Sequence, residues 1–351
     1  MFKNLDGECF GIVGRQNEVI EFALSNGYSS VSVDFSDLCS RAAASGVDFA
    51  ARYLVSAKML KVGVGRMNIR FHGTDEEFNA DIESLNTVFE IVDAMRNVEN
   101  GADGRVERIA VSIQPYSNTL AYHENFEQHR TRIGQVAEKL AEKSIQLGLE
   151  VQAAASRREG KEYEFIYQVE GMVSLIKAVA AENVGLVVNT WDWIVGGGTL
   201  EHLTELGVGK MVSVTLTDLP ADADLATLAT TERLLPGTGD SSAANSVCGW
   251  LHENGYTGPL TPGPSSSRFS GSSRDAVIHK AANSIDDILI AVGAIEPVAS
   301  KIEIPAEPEP SEGEAAEGEA AEGEAAEGAA AEGAAAEGDA AAPEKSEKVS
   351  S

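Results

Sequence analysis

Short apolar runs alternate along the chain with longer segments in which apolar residues recur every three or four positions. Each short run is typical of a buried strand, and each longer segment is typical of an amphipathic helix. Several of the short runs are nearly continuous β-branched stretches, as in parallel strands that are covered on both faces. The pattern predicts eight strands, at residues 9–13, 31–35, 60–64, 109–113, 147–152, 185–189, 211–216 and 258–261.

Helices are predicted between these strands, and the clearest follows the third. Thr74 and Glu77 form a capping box, and apolar residues continue at helical spacing to Val92. Repeated strand–helix units predict an α/β protein with a (β/α)₈ TIM barrel, in which functional residues lie at the carboxyl ends of the strands. The alternative is an open doubly wound sheet. It is disfavoured because GIVGRQNE, at the first predicted strand, contains neither GxGxxG nor a phosphate-binding loop.

The composition changes near Pro305. The stretch EGEAAEGEAAEGEAAEGAAAEGAAAEGD has no large apolar residue, so it cannot bury enough surface to offset the loss of chain entropy. We predict a barrel at residues 1–300 and a disordered acidic tail at residues 305–351. The tail holds 14 acidic and 2 basic residues, so it carries −12 of the total charge of −28 and leaves −16 on the rest. This acidic balance disfavours nucleic acid and anionic membrane surfaces as partners.

The three cysteines, Cys9, Cys39 and Cys248, are far apart, and the chain has no CxxC motif. This usage indicates free thiols in a reducing cytoplasm and disfavours a disulfide framework or a zinc cage. The first residues lack the apolar region of a signal peptide, and no apolar run approaches the roughly 18 residues of a membrane helix. We therefore predict a cytoplasmic protein.

Polar residues at predicted strand ends are the candidate site residues. The fifth strand carries Glu150, which could bind a metal ion, act as a general base, or pair with an arginine such as Arg157 or Arg158. Two of the six histidines, His72 after the third strand and His123 after the fourth, could reach the mouth of the barrel.

The sixth strand ends in Asn189, and Trp191, Asp192 and Trp193 follow it closely. The two tryptophans could stack on a sugar ring as pocket walls, or they could belong to the core. The seventh strand leads to Asp218. Asp192 and Asp218 could together supply carboxylates to a site if both side chains point inward.

Six stretches in order, LGLE, YEFIYQVEGMVSLIKAV, NVGLVVNTWDWIVGGGTLEHL, VSVTLTDLP, RLLPGTGD and GYTGPLTPGPSSSRF, resemble landmarks of the sugar phosphate isomerase/epimerase family. The likeness spans roughly residues 8 to 293. It implies the xylose isomerase-like TIM barrel that endonuclease IV also has. It also implies a site in which two glutamates, an aspartate and a histidine hold a divalent ion (Mn, Mg or Zn) that stabilises an enediolate.

One of the four ligand positions that the resemblance implies keeps the family's residue. Glu150 matches the first glutamate, whereas Asn189 stands for the aspartate, Thr215 for the histidine and Gly263 for the second glutamate. An amide offers only a neutral oxygen, and glycine offers no side chain. We therefore predict that metal binding at Glu150 and Asn189 is weak or absent and that the family's enediolate chemistry is impaired.

Two functions remain open. The first is an isomerase or epimerase of a small carbohydrate or keto-sugar that uses Glu150 as base with an altered electrophile, for which His72 and His123 are candidates. The second is a catalytically inactive barrel that binds or senses such a ligand. The chain lacks the metal-binding histidines and aspartates of endonuclease IV at the matching strand ends, so a role in DNA repair is disfavoured.

Overall fold

A computed structural model describes residues 1–55, 60–96 and 106–297. Its eight parallel strands form a closed barrel in which each strand pairs with the next along the chain and the last pairs with the first. This confirms the predicted (β/α)₈ fold. The strands are β1 (Phe2–Leu5), β2 (Ser30–Asp34), β3 (Lys61–Arg66), β4 (Arg108–Ser112), β5 (Gln146–Glu150), β6 (Val184–Asn189), β7 (Met211–Leu216) and β8 (Pro259–Pro262).

Helices surround the barrel and bury their apolar faces against the strands, as Ile133, Val136 and Leu140 do on the fifth helix. They are α1 (Gln16–Ser25), α2 (Phe35–Ser45), α3 (Val47–Val55), α4 (Asp75–Arg96), α5 (Tyr122–Ala141), α6 (Val169–Val179), α7 (Thr190–Val195), α8 (Leu200–Leu206), α9 (Ser242–Glu253) and α10 (Arg274–Ala291). Short 3₁₀ helices lie at Glu8–Phe10, Ala155–Arg157, Val208–Lys210, Thr230–Glu232 and Ser266–Phe269. A small antiparallel ribbon joins Tyr116–Ser117 to Tyr163–Glu164 above the barrel strands.

The prediction of a first strand at residues 9–13 is wrong. The first strand is β1, and residues 8–10 form a 3₁₀ helix that ends at Gly11 in a left-handed conformation (φ 70°). The pattern was misleading because Phe10 and Ile12 are buried in the loop that follows β1. The true strand carries a polar residue, Asn4, that points into the barrel and interrupts the apolar run.

Asn4 closes the barrel at the seam between the first and last strands. Its Nδ2 donates to Ser32 Oγ on β2 and to Thr261 Oγ1 on β8, both at 2.9 Å. Its Oδ1 accepts from Ser30 Oγ at 2.9 Å, and the side chain is completely buried. A Cβ at Gly63 on β3 would lie 2.2 Å from the same Oδ1, so the amide fills the space that a side chain there would need.

Three other sequence predictions concern the chain as a whole. Cys9, Cys39 and Cys248 are free thiols, as predicted. The helices within the described residues include none that is long and apolar enough to cross a membrane. The described residues lie in one compact unit, and the predicted acidic tail at 305–351 lies outside them.

We expect Asn4→Leu to lower the free energy of unfolding by about 2–4 kcal/mol, because the buried hydroxyl groups of Ser30, Ser32 and Thr261 lose their bonds to the amide, and Ser30 keeps only its 3.3 Å bond to Lys3 O. Urea denaturation monitored by circular dichroism measures this change. The control is Asn17→Leu, an exposed position in the first turn of α1, where the change should stay within about 0.5 kcal/mol. Equal, small effects at both positions would show that the Asn4 network does not stabilise the seam.

Candidate functional site

The carboxyl ends of the strands surround an open cavity with two lobes. The wide lobe, on the β3–β5 side, has a volume of about 630 Å³, and the narrow lobe, on the β6–β8 side, about 370 Å³. The two lobes share six lining residues, Glu8, Arg66, Ser112, Glu150, Gln152 and Arg157. The predicted base, Glu150, therefore lies where the two lobes meet.

Glu150 is the last residue of β5, and neighbouring strand ends orient its carboxylate. Oε2 accepts a hydrogen bond from Ser112 Oγ at the end of β4 (2.8 Å), and Oε1 accepts one from Asn189 Nδ2 at the end of β6 (3.3 Å). Within the described ranges, no ion pair joins Glu150 to Arg157 or Arg158. Two neutral donors thus hold this carboxylate at the floor of the cavity.

Asn189 has a second role that explains why an amide ends this strand. It is the N-cap of α7, and its Oδ1 accepts from Trp191 N at 3.2 Å. Asparagine is a favoured N-cap because its side-chain oxygen satisfies a free helix N–H. Its Nδ2 is meanwhile free to bind Glu150. An aspartate here would face Glu150 with a second negative charge, which is unfavourable unless a cation lies between them.

Thr215 and Gly263 occupy the two remaining positions that the resemblance assigns to ligands. A Cβ at Gly263 would lie 2.2 Å from Thr215 Cγ2 and 3.2 Å from Thr217 Cγ2. The Thr215 methyl therefore fills the space through which a side chain at 263 would leave the backbone. Thr215 itself is buried and lines the narrow lobe.

The donor set at these four positions does not fit a tightly held divalent ion. Glu150 is the one charged member, and the Asn189 oxygen already accepts the helix N–H. Thr215 and Gly263 supply no anionic or imidazole ligand. Across the described parts of the chain, no group of three or more His, Cys, Asp or Glu side chains is arranged to hold a metal ion.

Asp192 lines the narrow lobe and is fixed on both sides. Its Oδ1 accepts from Ala153 N at 2.8 Å, and its Oδ2 pairs with Arg233 Nη2 at 2.5 Å. Burial raises the pKa of Asp192 to about 6; Arg233 opposes this shift, whereas Glu150 adds to it. Asp192 therefore positions Arg233 at the cavity wall.

The two tryptophans lie in the core and do not line either lobe. Trp191 is completely buried, and the Arg233 guanidinium lies 5.0 Å from its ring centroid. Trp193 is also buried, and its ring meets that of His202 edge-on at 6.2 Å. Both rings therefore belong to the core, which was one of the two alternatives that the sequence left open.

Asp218 lies away from the cavity. It is completely buried, and its Oδ2 accepts from Thr238 N, Gly239 N and Ser241 Oγ at 3.0, 3.0 and 2.6 Å. These bonds fix the long loop between β7 and α9. Because Asp218 is engaged there, Asp192 and Asp218 do not converge.

Of the two histidine candidates, one lines the cavity and the other does not. His72 lines the wide lobe, where burial lowers its pKa, whereas His123 is exposed in the first turn of α5 and lines neither lobe. His129 also lines the wide lobe, and its pKa is lowered to about 4 by burial. His129 Nδ1 lies 2.8 Å from Asn125 O, so this nitrogen carries the proton of a neutral ring.

Sequence reasoning missed several cavity residues. Arg66 and Ser112 end β3 and β4, so the strand-end rule that found Glu150 could have found them too. Arg66 pairs through Nε with the buried carboxylate of Asp6 at 2.6 Å, and Asp6 raises the pKa of Arg66. Arg233 lies in the irregular segment between β7 and α9, where no periodic signal marks it.

No family profile and no curated protein matches the sequence. Solved structures match the fold. A xylose isomerase domain protein from Alicyclobacillus acidocaldarius subsp. acidocaldarius aligns with a TM-score of 0.71 at 19% identity, over 84% of this chain and 100% of that chain. An IolI protein solved with a zinc atom aligns with a TM-score of 0.63 at 14% identity, over 83% of this chain and 98% of that chain. A D-psicose 3-epimerase solved in the presence of D-fructose aligns with a TM-score of 0.58 at 12% identity, over 84% of this chain and 100% of that chain.

The chain therefore has the xylose isomerase-like TIM barrel fold, as the sequence resemblance implied. Its likeness to these structures extends over their full lengths or nearly so. At 12–19% identity, the likeness shows the fold and leaves the chemistry to the residues of this chain.

We expect Gly263→Ala to destabilise the protein by about 1–3 kcal/mol, because the new Cβ overlaps the Thr215 methyl. Thr215→Ser removes that methyl, so Gly263→Ala should be better tolerated in the Thr215→Ser background. A double-mutant cycle of urea denaturation measures this coupling. Additive effects of the two substitutions would contradict the steric account.

We expect Asp192 to make folding stability depend on pH between about 4 and 6. The folded pKa is raised above the unfolded value, so the protonated form favours folding. That stability is present below the unfolded pKa and is lost as the pH rises through about 6. Between pH 4 and pH 6.5, the free energy of unfolding of the wild type should fall by about 2–3 kcal/mol more than that of Asp192→Asn.

Urea denaturation of both proteins at several pH values tests this expectation. Other groups titrate in both proteins, so the difference between the two curves isolates Asp192. A difference that stays constant with pH would contradict the raised pKa.

Proposed function

We propose that this chain binds a small sugar-like molecule at the mouth of the barrel and does so without a tightly held divalent ion. The observation that carries the proposal is the setting of Glu150. Ser112 Oγ and Asn189 Nδ2 bind its carboxylate at a point where a metal ion would need anionic ligands. The carboxylate remains an acceptor for ligand hydroxyl groups, since each of its oxygens has further lone pairs.

The lining of the cavity supports a ligand rich in hydroxyl groups. Gln152 lies beside Glu150 in both lobes, and Asn68 and Gln114 line the wide lobe. Amide side chains both donate and accept hydrogen bonds, which suits a polyol. Lobes of about 630 and 370 Å³ are within the range for small-molecule sites. The D-psicose 3-epimerase of the same fold, which was solved in the presence of D-fructose, supports the proposal of a sugar-like ligand.

The second candidate is an isomerase in which Glu150 is the base. The fixed orientation of its carboxylate favours this function, because a general base must be held within reach of the carbon-bound proton. Gly263 supplies no second carboxylate on the opposite side of the substrate. A single base can remove a proton from the carbon that bears the hydroxyl group and return it to the adjacent carbonyl carbon on the same face, while the hydroxyl proton passes to the carbonyl oxygen. Such a reaction interconverts an aldose and a ketose and does not invert a stereocentre.

We expect at least one sugar of a neutral and phosphorylated panel to raise the thermal unfolding midpoint in buffer that contains EDTA. Glu150→Gln should weaken that binding about tenfold, the loss expected when a charged acceptor of ligand hydroxyl groups is removed. Glu138→Gln, on the exposed side of α5, is the matched control and should leave affinity unchanged. Binding that requires added Mn²⁺ would contradict the proposal.

Exchange of a carbon-bound proton in D₂O, followed by NMR with each sugar that binds, separates the two candidates. Exchange that Glu150→Gln abolishes supports the isomerase. Binding without exchange supports a barrel that binds or senses its ligand.

A further inference from the structure

The loop after β5 carries two cationic side chains that border the cavity. Arg157 and Lys161 both line the wide lobe, and Arg157 also lines the narrow lobe. Both residues are exposed, and neither forms an ion pair within the described residues. The chain as a whole is acidic, with 55 acidic and 27 basic residues. Ten other arginines each pair with a carboxylate.

This loop is anchored at both ends. Arg158 Nη1 donates to Ala153 O at 2.8 Å and to Ala154 O at 3.3 Å, and its guanidinium lies 3.6 Å from the centroid of the Tyr167 ring. Beyond Lys161, Tyr163–Glu164 pairs with Tyr116–Ser117 in the antiparallel ribbon. Arg158, which was a possible partner of Glu150 by sequence, lines neither lobe of the cavity and instead holds the loop that carries Arg157 and Lys161.

The opposite rim of the mouth is acidic. In the sequential barrel order, β1 lies across from β5, so the segments after β1 and β2 face the Arg157–Lys161 loop. These segments contribute Glu8 and Asp34 to the wide lobe. Arg66, also in this lobe, is compensated by its ion pair with Asp6. Acidic groups therefore line one side of the cavity, and two cations without a carboxylate partner line the other. Of these two, Lys161 has its ammonium group 4.5 Å from the centroid of the Tyr116 ring.

A neutral sugar gains little from this charge separation, whereas a ligand with one anionic end is oriented by it. We infer that the ligand carries an oxyanion group, a phosphate or a carboxylate, that Arg157 and Lys161 bind. Guanidinium and ammonium groups form short, charge-assisted hydrogen bonds to such oxygens. The hydroxyl-bearing part of the ligand then lies over Glu150. The inference rests on the proposed function for the sugar part of the ligand and adds the anionic group.

Isothermal titration calorimetry at constant ionic strength, in buffer with EDTA, tests this assignment. The probes are matched sets: glucose with glucose 6-phosphate and glucuronate, fructose with fructose 6-phosphate, and inorganic phosphate alone. The charged members should bind at least tenfold more tightly than their neutral parents. Comparison of the phosphate and carboxylate members identifies which oxyanion the site prefers.

The double variant Arg157→Gln/Lys161→Gln should weaken binding of the charged members about tenfold and leave the neutral parents unchanged. The control is Arg52→Gln/Lys280→Gln, which removes the same charge from exposed positions on α3 and α10. The control should bind every probe as the wild type does. Because both pairs of residues are exposed, circular dichroism should show that both variants fold.

The outcomes separate this inference from the proposed function. Neutral parents that bind as tightly as charged members, or a double variant with unchanged affinity, would overturn the anion site and leave the sugar site standing. Inorganic phosphate that binds through Arg157 and Lys161, when no sugar binds, would support the anion site and overturn the sugar assignment. The absence of binding by every probe would overturn both.

Discussion

The arrangement at the mouth depends on closure of the barrel at Asn4, because the carboxyl ends of all eight strands surround one site only when the first strand pairs with the last. Asn4 joins β1 to β2 and β8 through buried hydrogen bonds to three hydroxyl groups. Unpaired polar groups are costly inside a protein, so these bonds favour one register for strands that are only four or five residues long. The carboxyl ends of β4, β5 and β6 then place Ser112, Glu150 and Asn189 within hydrogen-bonding distance.

The residues at the mouth are mutually consistent. Asn189 caps α7 with its oxygen and binds Glu150 with its nitrogen, which removes the charge repulsion that an aspartate would create there. Gly263 has no side chain, and the Thr215 methyl fills the space that a side chain at position 263 would need. Two of the charged side chains that line the cavity are arginines, and buried aspartates position them in the pairs Arg66–Asp6 and Arg233–Asp192. We therefore propose that hydrogen-bond donors and guanidinium groups contact the ligand here, without a tightly held metal ion.

The sequence predicted the fold because strand and helix periods are local signals, and it placed Glu150 and Asn189 because strand ends converge in this fold. The first strand was missed because Asn4 interrupts its apolar pattern with a polar residue that faces the interior. Spacing could not show that Asp218 binds a loop and that Trp191 packs behind the cavity, since both depend on contacts with later segments. The same limit hid Arg233, whose partner Asp192 lies 41 positions away. Long-range ion pairs leave no trace in local sequence patterns.

The central claim is that Glu150 binds neutral donors and ligand hydroxyl groups, and no tightly held metal ion. Titration of metal-free protein with Mn²⁺, followed by calorimetry for the wild type and Glu150→Gln, tests this claim most directly. The account predicts affinities no tighter than about 10⁻⁴ M that are the same for both proteins, as expected for scattered surface carboxylates on an acidic chain. A submicromolar affinity that Glu150→Gln abolishes would contradict it.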